Sequence, residues 1–125
     1  MHLSALLPTL LLSLSTTILA ASSPSDPFTP SHTLQQRLSK PLPLNDTSYA
    51  DLTRSPRDYS VAVLLTALEP KYQCGWCREF QPEWDLLGKV WAKGDRGGEG
   101  RVVLGTLDVK DGQRTFQAVS GAFAS

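Results

Sequence analysis

The 125-residue sequence predicts an α/β fold built on a parallel strand–helix–strand unit, and three successive segments carry that prediction. Residues 59–68 are a continuous apolar run with β-branched side chains, which is typical of a strand covered on both faces. Residues 74–93 have helical spacing, and residues 101–109 form a second apolar run. A buried strand, a helix and another buried strand in this order make a parallel pair.

The helix predicted over residues 74–93 is amphipathic. Its apolar side chains recur at steps of three and four, so we expect one buried face that contains Cys77, Phe80, Trp84, Leu87 and Trp91. Pro82 lies inside this pattern, and because the stripe continues beyond it we expect the helix to run through the proline. Glycines within residues 94–100 end the helix, and residues 113–119 begin another.

The segments before the first apolar run predict shorter elements. Residues 32–40 favour a short helix, and residues 41–44, which alternate proline and leucine, favour an edge strand. Asp46 or Thr47 is expected to cap a helix that ends shortly after Leu52.

The amino terminus has the pattern of a secretory signal peptide. No charged side chain precedes Asp26, and a leucine-rich stretch is followed by small residues, which predicts a signal over residues 1–21. A membrane anchor is the alternative, but Pro8 and interspersed hydroxyl residues make a poor span. We expect a Ser/Pro-rich leader with a short helix over residues 22–40 and the folded domain over residues 41–125. Secretion would place the cysteines in an oxidising compartment.

Charge and small motifs narrow the function classes. With 12 basic and 12 acidic residues the net charge is zero, which argues against nucleic-acid binding. Asn45-Asp46-Thr47 is an N-glycosylation sequon, so Asn45 is an expected acceptor in a secreted chain.

The motif that carries chemistry is Cys74-Gly75-Trp76-Cys77. It lies where an apolar strand turns into an amphipathic helix, so Cys74 would be at the helix amino terminus, where free N–H groups and the helix dipole favour a thiolate. We therefore predict Cys74 as the nucleophile and Cys77, one turn along the buried face, as the resolving thiol. Gly75, Trp76 and Pro82 flank this site.

Three other uses of the cysteine pair are a structural disulfide, zinc binding and haem attachment. A purely structural disulfide is one of them, although the three-residue spacing at a helix start favours a reversible bond. Zinc would need two further ligands, and the sequence has only His2 and His32. Haem attachment would need a histidine after the second cysteine, where the chain has Arg78. We expect neither a metal nor a cofactor.

The motif and its surroundings resemble a known family. A redox pair followed by a helix proline is similar to the active-site helix of the thioredoxin superfamily. The wider pattern adds an Arg-Asp-Tyr-Ser lead-in over residues 57–60 and Arg-Glu-Phe after the second cysteine. Over residues 40–118 it resembles the thioredoxin-like subunit of the oligosaccharyltransferase complex, dolichyl-diphosphooligosaccharide–protein glycosyltransferase subunit 3/subunit 6, a family that includes proteins named as magnesium transporters.

The resemblance implies a thioredoxin-like βαβα domain in the lumen of the endoplasmic reticulum. Its partners would be other oligosaccharyltransferase subunits and cysteine-containing nascent polypeptides, while another subunit carries glycosyl transfer. Family members continue into a cis-proline loop, a β-hairpin and four membrane helices, so we expect this chain to be a truncated, incomplete version that meets the membrane only through segments it lacks. The chain departs from ordinary thioredoxins at Gln73, where they have tryptophan, and at Leu68, where they carry a buried acid.

Three functions follow from these observations. The first is a redox-active accessory subunit that holds client cysteines in transient mixed disulfides during N-glycosylation. The second is a free-standing lumenal thiol–disulfide oxidoreductase of the disulfide-isomerase type. The third is a non-catalytic binding or transporter-associated module whose cysteines are structural.

Overall fold

The computed structural model describes residues 26–124. The predicted signal peptide, residues 1–21, lies outside the described residues. A 3-10 turn, Pro70–Tyr72, precedes the third helix. The other described elements, in chain order, are α1 (Phe28–Leu38), β1 (Leu42–Pro43), α2 (Asp46–Thr53), β2 (Ser60–Thr66), α3 (Gly75–Gly94), β3 (Val102–Asp108) and α4 (Gln113–Ala124).

The strands form one parallel sheet in which β3 lies between β1 and β2. β2 pairs with β3 along its whole length, and its last residue, Thr66, lies opposite Asp108. β1 pairs with the other edge of β3 over two residues. β2, α3 and β3 are therefore the predicted strand–helix–strand unit. The α/β class is confirmed, and the order of elements fits an incomplete thioredoxin-like fold.

One face of the sheet carries the hydrophobic core. Val103 and Leu107 of β3 are fully buried there. The Tyr59 hydroxyl donates to the Leu52 carbonyl at 2.7 Å and thereby ties α2 to the entrance of β2. The remaining buried members of this cluster are Phe28, Leu42, Leu44, Leu52 and Tyr59.

The opposite face of the sheet is covered by α3. Trp84 Nε1 donates to Thr106 Oγ1 at 3.0 Å, which fixes the middle of α3 over β3. Side chains alternate along a strand, so Asp108 lies on the same face as Thr106, two residues nearer the carboxyl edge of the sheet. A helix that connects parallel strands runs back against them, so α3 begins at this carboxyl edge.

β2 is less covered than its apolar run predicts. Ser60 and Ala62 are exposed, and Thr66 is the only buried residue of the strand. Within residues 26–124, β3 is the one strand that pairs with β2, so the other edge of β2 presents unpaired backbone groups. The prediction that this strand is covered on both faces is therefore wrong.

The predicted leader contributes a helix to the packed domain. α1 begins at Phe28, four residues before the predicted start, and Phe28 is only 4% exposed within the core cluster. Gln35 is fully buried, and its Oε1 accepts the N–H of Leu104 at 2.8 Å. Since β1 is two residues long, this side chain supplies the partner that a longer strand would give to β3. The folded domain thus begins before residue 41.

α1 also holds α3 in place. Gln36 Nε2 donates to the carbonyl of Ala92 at 2.8 Å, and His32 Nε2 donates to the carbonyl of Asp95 at 3.1 Å. Carbonyls in the last turn of a helix have no partner within that helix, so both bonds satisfy groups that would otherwise need water. α1 therefore positions the helix that carries the cysteine pair.

The caps of α2 and α4 differ from the prediction. Asn45, rather than Asp46 or Thr47, caps α2, and it forms a reciprocal capping box with Ser48. Asp46 instead caps α4. Its carboxylate accepts from the Thr115 hydroxyl at 2.7 Å and from the Thr115 N–H at 2.9 Å. One short segment thus anchors two helices.

We expect Asp46→Asn to lower the thermal midpoint at pH 7, because the variant loses the charge that faces the start of α4. Hydrogen bonds from Thr115 hold the pKa of Asp46 below its usual value. A lowered pKa stabilises the fold above the unfolded-state pKa, and the stabilisation disappears as pH falls through the folded-state value. Thermal unfolding measured from pH 7 to about pH 3 should therefore show the midpoints of the unsubstituted protein and of Asp46→Asn converging as the pH falls.

The matched control for this prediction is Asp51→Asn on the same helix. The Asp51 carboxylate pairs with Arg54 on the exposed surface, where ion pairs contribute little. Equal midpoints for Asp46→Asn and Asp51→Asn at pH 7 would contradict the capping assignment.

Candidate functional site

Cys74 and Cys77 form a disulfide at the start of α3. Their Cα atoms lie 5.3 Å apart, as one helical turn allows. Cys74 is the N-cap residue and is half-buried, whereas Cys77 is 6% exposed. A nucleophile from solvent therefore reaches the sulfur of Cys74 more readily than that of Cys77.

The environment of Cys74 favours a negative sulfur. Its Sγ accepts the N–H of Cys77 at 3.2 Å, so the side chain occupies the place of a helix-capping oxygen. No acidic residue lies in the first turn of α3. Thiols at helix amino termini have lowered pKa values and form thiolates more readily. The site can thus hold Cys74 as a thiolate when the disulfide is open.

The loop of residues 67–73 delivers Cys74 to this position. It contains the 3-10 turn and ends at Gln73, whose φ of 53° lies in the left-handed region that favours glycine. The Gln73 N–H donates to the Pro70 carbonyl at 3.0 Å and closes the turn. Where the loop begins, the Leu68 N–H donates to Asp108 Oδ2 at 3.1 Å. The sequence places Asp108 at a strand end but does not reveal this contact.

An exposed apolar surface extends from the cysteines along α3. Trp76, between the two cysteines, is 63% exposed, and its ring centroid lies 6.1 Å from that of Phe80. Phe80 and Leu87, predicted to be buried, are 39% and 48% exposed, so that part of the prediction is wrong. Exposed apolar side chains on one helix face form a surface suited to binding apolar groups.

The buried face of α3 contains small residues. Gly88 and Ala92 are buried, while Trp84 and Trp91 are half-buried. A Cβ atom at Gly88 would lie 2.6 Å from the backbone nitrogen of Pro41. The absence of a side chain at this residue lets α3 approach the chain just before β1 closely.

The sequence of the chain matches a known protein family. Residues 31–121 match the sequence model of the OST3 / OST6 family, transporter family. The chain belongs to the OST3/OST6 family. The match includes all of β2, the cysteine pair and β3.

Curated proteins from several vertebrates are similar to the chain over part of its length. The dolichyl-diphosphooligosaccharide–protein glycosyltransferase subunit MAGT1 of Danio rerio is 35% identical over 78 residues, which are 62% of this chain and 24% of the relative. The proteins of the same name from Gallus gallus and Homo sapiens are 28% identical over 78 residues. The chain therefore spans about a quarter of the length of these relatives, 24% in the first case.

Two other predicted site residues of this OST3/OST6-family chain are Pro82, on the same helix as the cysteine pair, and Asn45, which lies away from that helix. Pro82 is exposed inside α3, which continues to Gly94 as predicted. Asn45 is exposed after β1, on the far side of β3 from β2, and its Oδ1 accepts from Ser48 N. Within the described part of the chain, no group of three or more metal-ligating side chains is close together, and no helix is long and apolar enough to cross a membrane.

Proposed function

We propose that the protein is a redox-active accessory subunit of the oligosaccharyltransferase complex and holds client cysteines in transient mixed disulfides during N-glycosylation. The observation that carries the proposal is the disulfide at the start of α3, with a half-buried Cys74 that caps the helix and a buried Cys77 behind it. Subunits of this complex among the relatives support the partner assignment.

The chemistry needs no cofactor. A client thiolate attacks Cys74 Sγ, the Cys74–Cys77 bond breaks, and Cys77 leaves with the electron pair as a thiolate. The client is then bound through a mixed disulfide. When Cys77 attacks Cys74 Sγ in return, the client thiolate leaves and the internal disulfide re-forms, so no external oxidant or reductant is consumed.

A mixed disulfide would act as a tether. A client bound through one cysteine stays near the glycosyl-transfer site of another subunit, and its encounter with that site becomes intramolecular at about millimolar effective concentration. This role implies a location in the lumen of the endoplasmic reticulum. It also implies that the clients are cysteine-containing nascent polypeptides. The exposed Trp76 and Phe80 would bind apolar side chains beside the client cysteine.

Affinity capture from microsomes tests the proposal, with the reduction potential as a second readout. We expect the tagged full chain to recover other oligosaccharyltransferase subunits, and its disulfide to have a potential above about −300 mV, since purely structural disulfides lie below that value. A potential above that value without complex subunits would instead support a free-standing oxidoreductase. A strongly reducing potential would contradict the redox role itself.

A further inference from the structure

Asp108 is a buried carboxylate that the proposed chemistry does not use. It is 7% exposed, at the carboxyl end of β3, and both of its oxygens accept backbone N–H groups. Oδ2 accepts from Leu68 across the sheet, and Oδ1 accepts from Lys110 just after the strand. Buried charge is costly unless it is compensated, so a fixed pair of donors here indicates a defined position for this side chain.

The hydrogen bond from Leu68 to Asp108 follows directly after the last backbone bond between β2 and β3. The Val109 N–H donates to the Thr66 carbonyl at 2.9 Å, which is the last backbone bond between the two strands toward the cysteines. Beyond it, the loop of residues 67–73 forms local hydrogen bonds, from Tyr72 to Glu69 and from Gln73 to Pro70. Among the described residues, the Leu68–Asp108 bond is the one hydrogen bond that ties this loop to the rest of the sheet.

We propose that Asp108 is a positioning residue for Cys74: by holding the start of the loop of residues 67–73 against β3, it keeps Cys74 at the N-cap of α3, where its thiolate is stabilised. The effect travels along a short, closed loop that enters α3 through a left-handed residue, Gln73. A loop released at Leu68 would let Cys74 leave the Cys77 N–H, and the thiol would lose its cap. This inference rests on the proposed redox function.

The direction in which Asp108→Asn changes the pKa of Cys74 distinguishes a positioning role of Asp108 from an effect of its charge. If Asp108 acted on Cys74 only through its negative charge, then Asp108→Asn would make the thiol more acidic and its alkylation faster. If Asp108 acts through position, the same substitution weakens the loop contact, because an amide has one accepting oxygen for the two N–H groups that the carboxylate holds. The pKa of Cys74 then rises and alkylation below neutral pH slows, because fewer molecules carry the thiolate. The two mechanisms therefore predict opposite changes.

Alkylation of reduced protein by iodoacetamide, followed from pH 4 to 9, is the test. We expect Asp108→Asn to slow Cys74 alkylation about fivefold to tenfold at pH 6, as a rise of close to one pKa unit requires. The matched control is Asp95→Asn, since Asp95 is also buried and its two oxygens accept the Gly100 N–H at 3.1 and 3.2 Å. Asp95 lies at the far end of α3, about 30 Å from Cys74.

The outcomes distinguish this inference from the function on which it rests. The inference is overturned if Cys74 is acidic in the unsubstituted protein and its pKa is unchanged in Asp108→Asn, or changes equally in Asp95→Asn. Either result leaves the redox function intact. An ordinary thiol pKa in the unsubstituted protein counts against both. Should Asp108→Asn fail to fold, amide hydrogen exchange of the unsubstituted protein decides: Leu68 must exchange more slowly than Ala67 and Glu69, or the proposed tether does not exist.

Discussion

Cys77→Ser is expected to turn the protein into a trap that accumulates mixed disulfides on Cys74. Without the resolving thiol, a client bound to Cys74 cannot be released by attack from Cys77, so the covalent complex persists. The expected effect is large: the complex should rise from undetectable to most of the protein when a disulfide-activated cysteine peptide is added. Non-reducing electrophoresis and peptide mapping measure it.

The matched controls for the trap are Cys74→Ser and the double variant, neither of which should form the complex. Both cysteines begin the same helix, but Cys77 is 6% exposed and Cys74 caps the helix from a half-buried position. Mapping of the client to Cys77 in the Cys74→Ser variant, at a yield equal to that of Cys77→Ser, would reverse the assignment of attacking and resolving thiols.

The trap also measures the contribution of Trp76. Adding Trp76→Ser to Cys77→Ser should reduce the yield for peptides with an apolar residue beside the cysteine and leave that for polar peptides unchanged. Because Trp76 is largely exposed, its loss should hardly change the thermal midpoint. A marked fall in the midpoint with unchanged trapping would show that Trp76 supports the fold instead.

The sequence predicts the central part of the fold because that part has local signals. β2 and β3 are continuous apolar runs, and α3 has a regular spacing that survives Pro82. The sequence does not predict that α1 belongs to the domain, because its key contact joins residues that are distant in the chain. Gln35 is a polar residue in the core, and its burial depends on the Leu104 N–H that a two-residue β1 leaves unpaired. No periodicity of apolar residues encodes that relation.

The candidate site, like the fold, has a part that local sequence signals predict and a part that depends on contacts between distant residues. The spacing of Cys74 and Cys77 and their place at a helix start are local, so the sequence predicts where they lie. Asp108 meets Leu68 from 40 residues away, and only the parallel register of β2 and β3 brings them together. The close approach of Gly88 to Pro41 likewise joins residues that are distant in the chain. A glycine in mid-helix is the one signal in the sequence that could have indicated such a close approach.

Gly88→Ala is expected to destabilise the protein although alanine is the better helix former. Alanine in place of glycine favours an isolated helix by about 1 kcal/mol. The new Cβ, however, would lie 2.6 Å from the backbone nitrogen of Pro41, which cannot move aside as a flexible side chain can. Overpacking costs about 1–3 kcal/mol, and contact with buried backbone places this residue at the upper end, so we expect a net loss of about 2 kcal/mol.

Gly94→Ala is the matched control, because Gly94 ends the same helix and a Cβ there would meet nothing within 4 Å. This variant should be unchanged or up to about 1 kcal/mol more stable, so its urea unfolding midpoint should equal or exceed that of the unsubstituted protein, whereas Gly88→Ala lowers the midpoint. Gly88→Val should lose more than Gly88→Ala, since it adds bulk toward Pro41 and a β-branched side chain to a helix. If Gly88→Ala is as stable as Gly94→Ala, the position of α3 does not depend on this close approach.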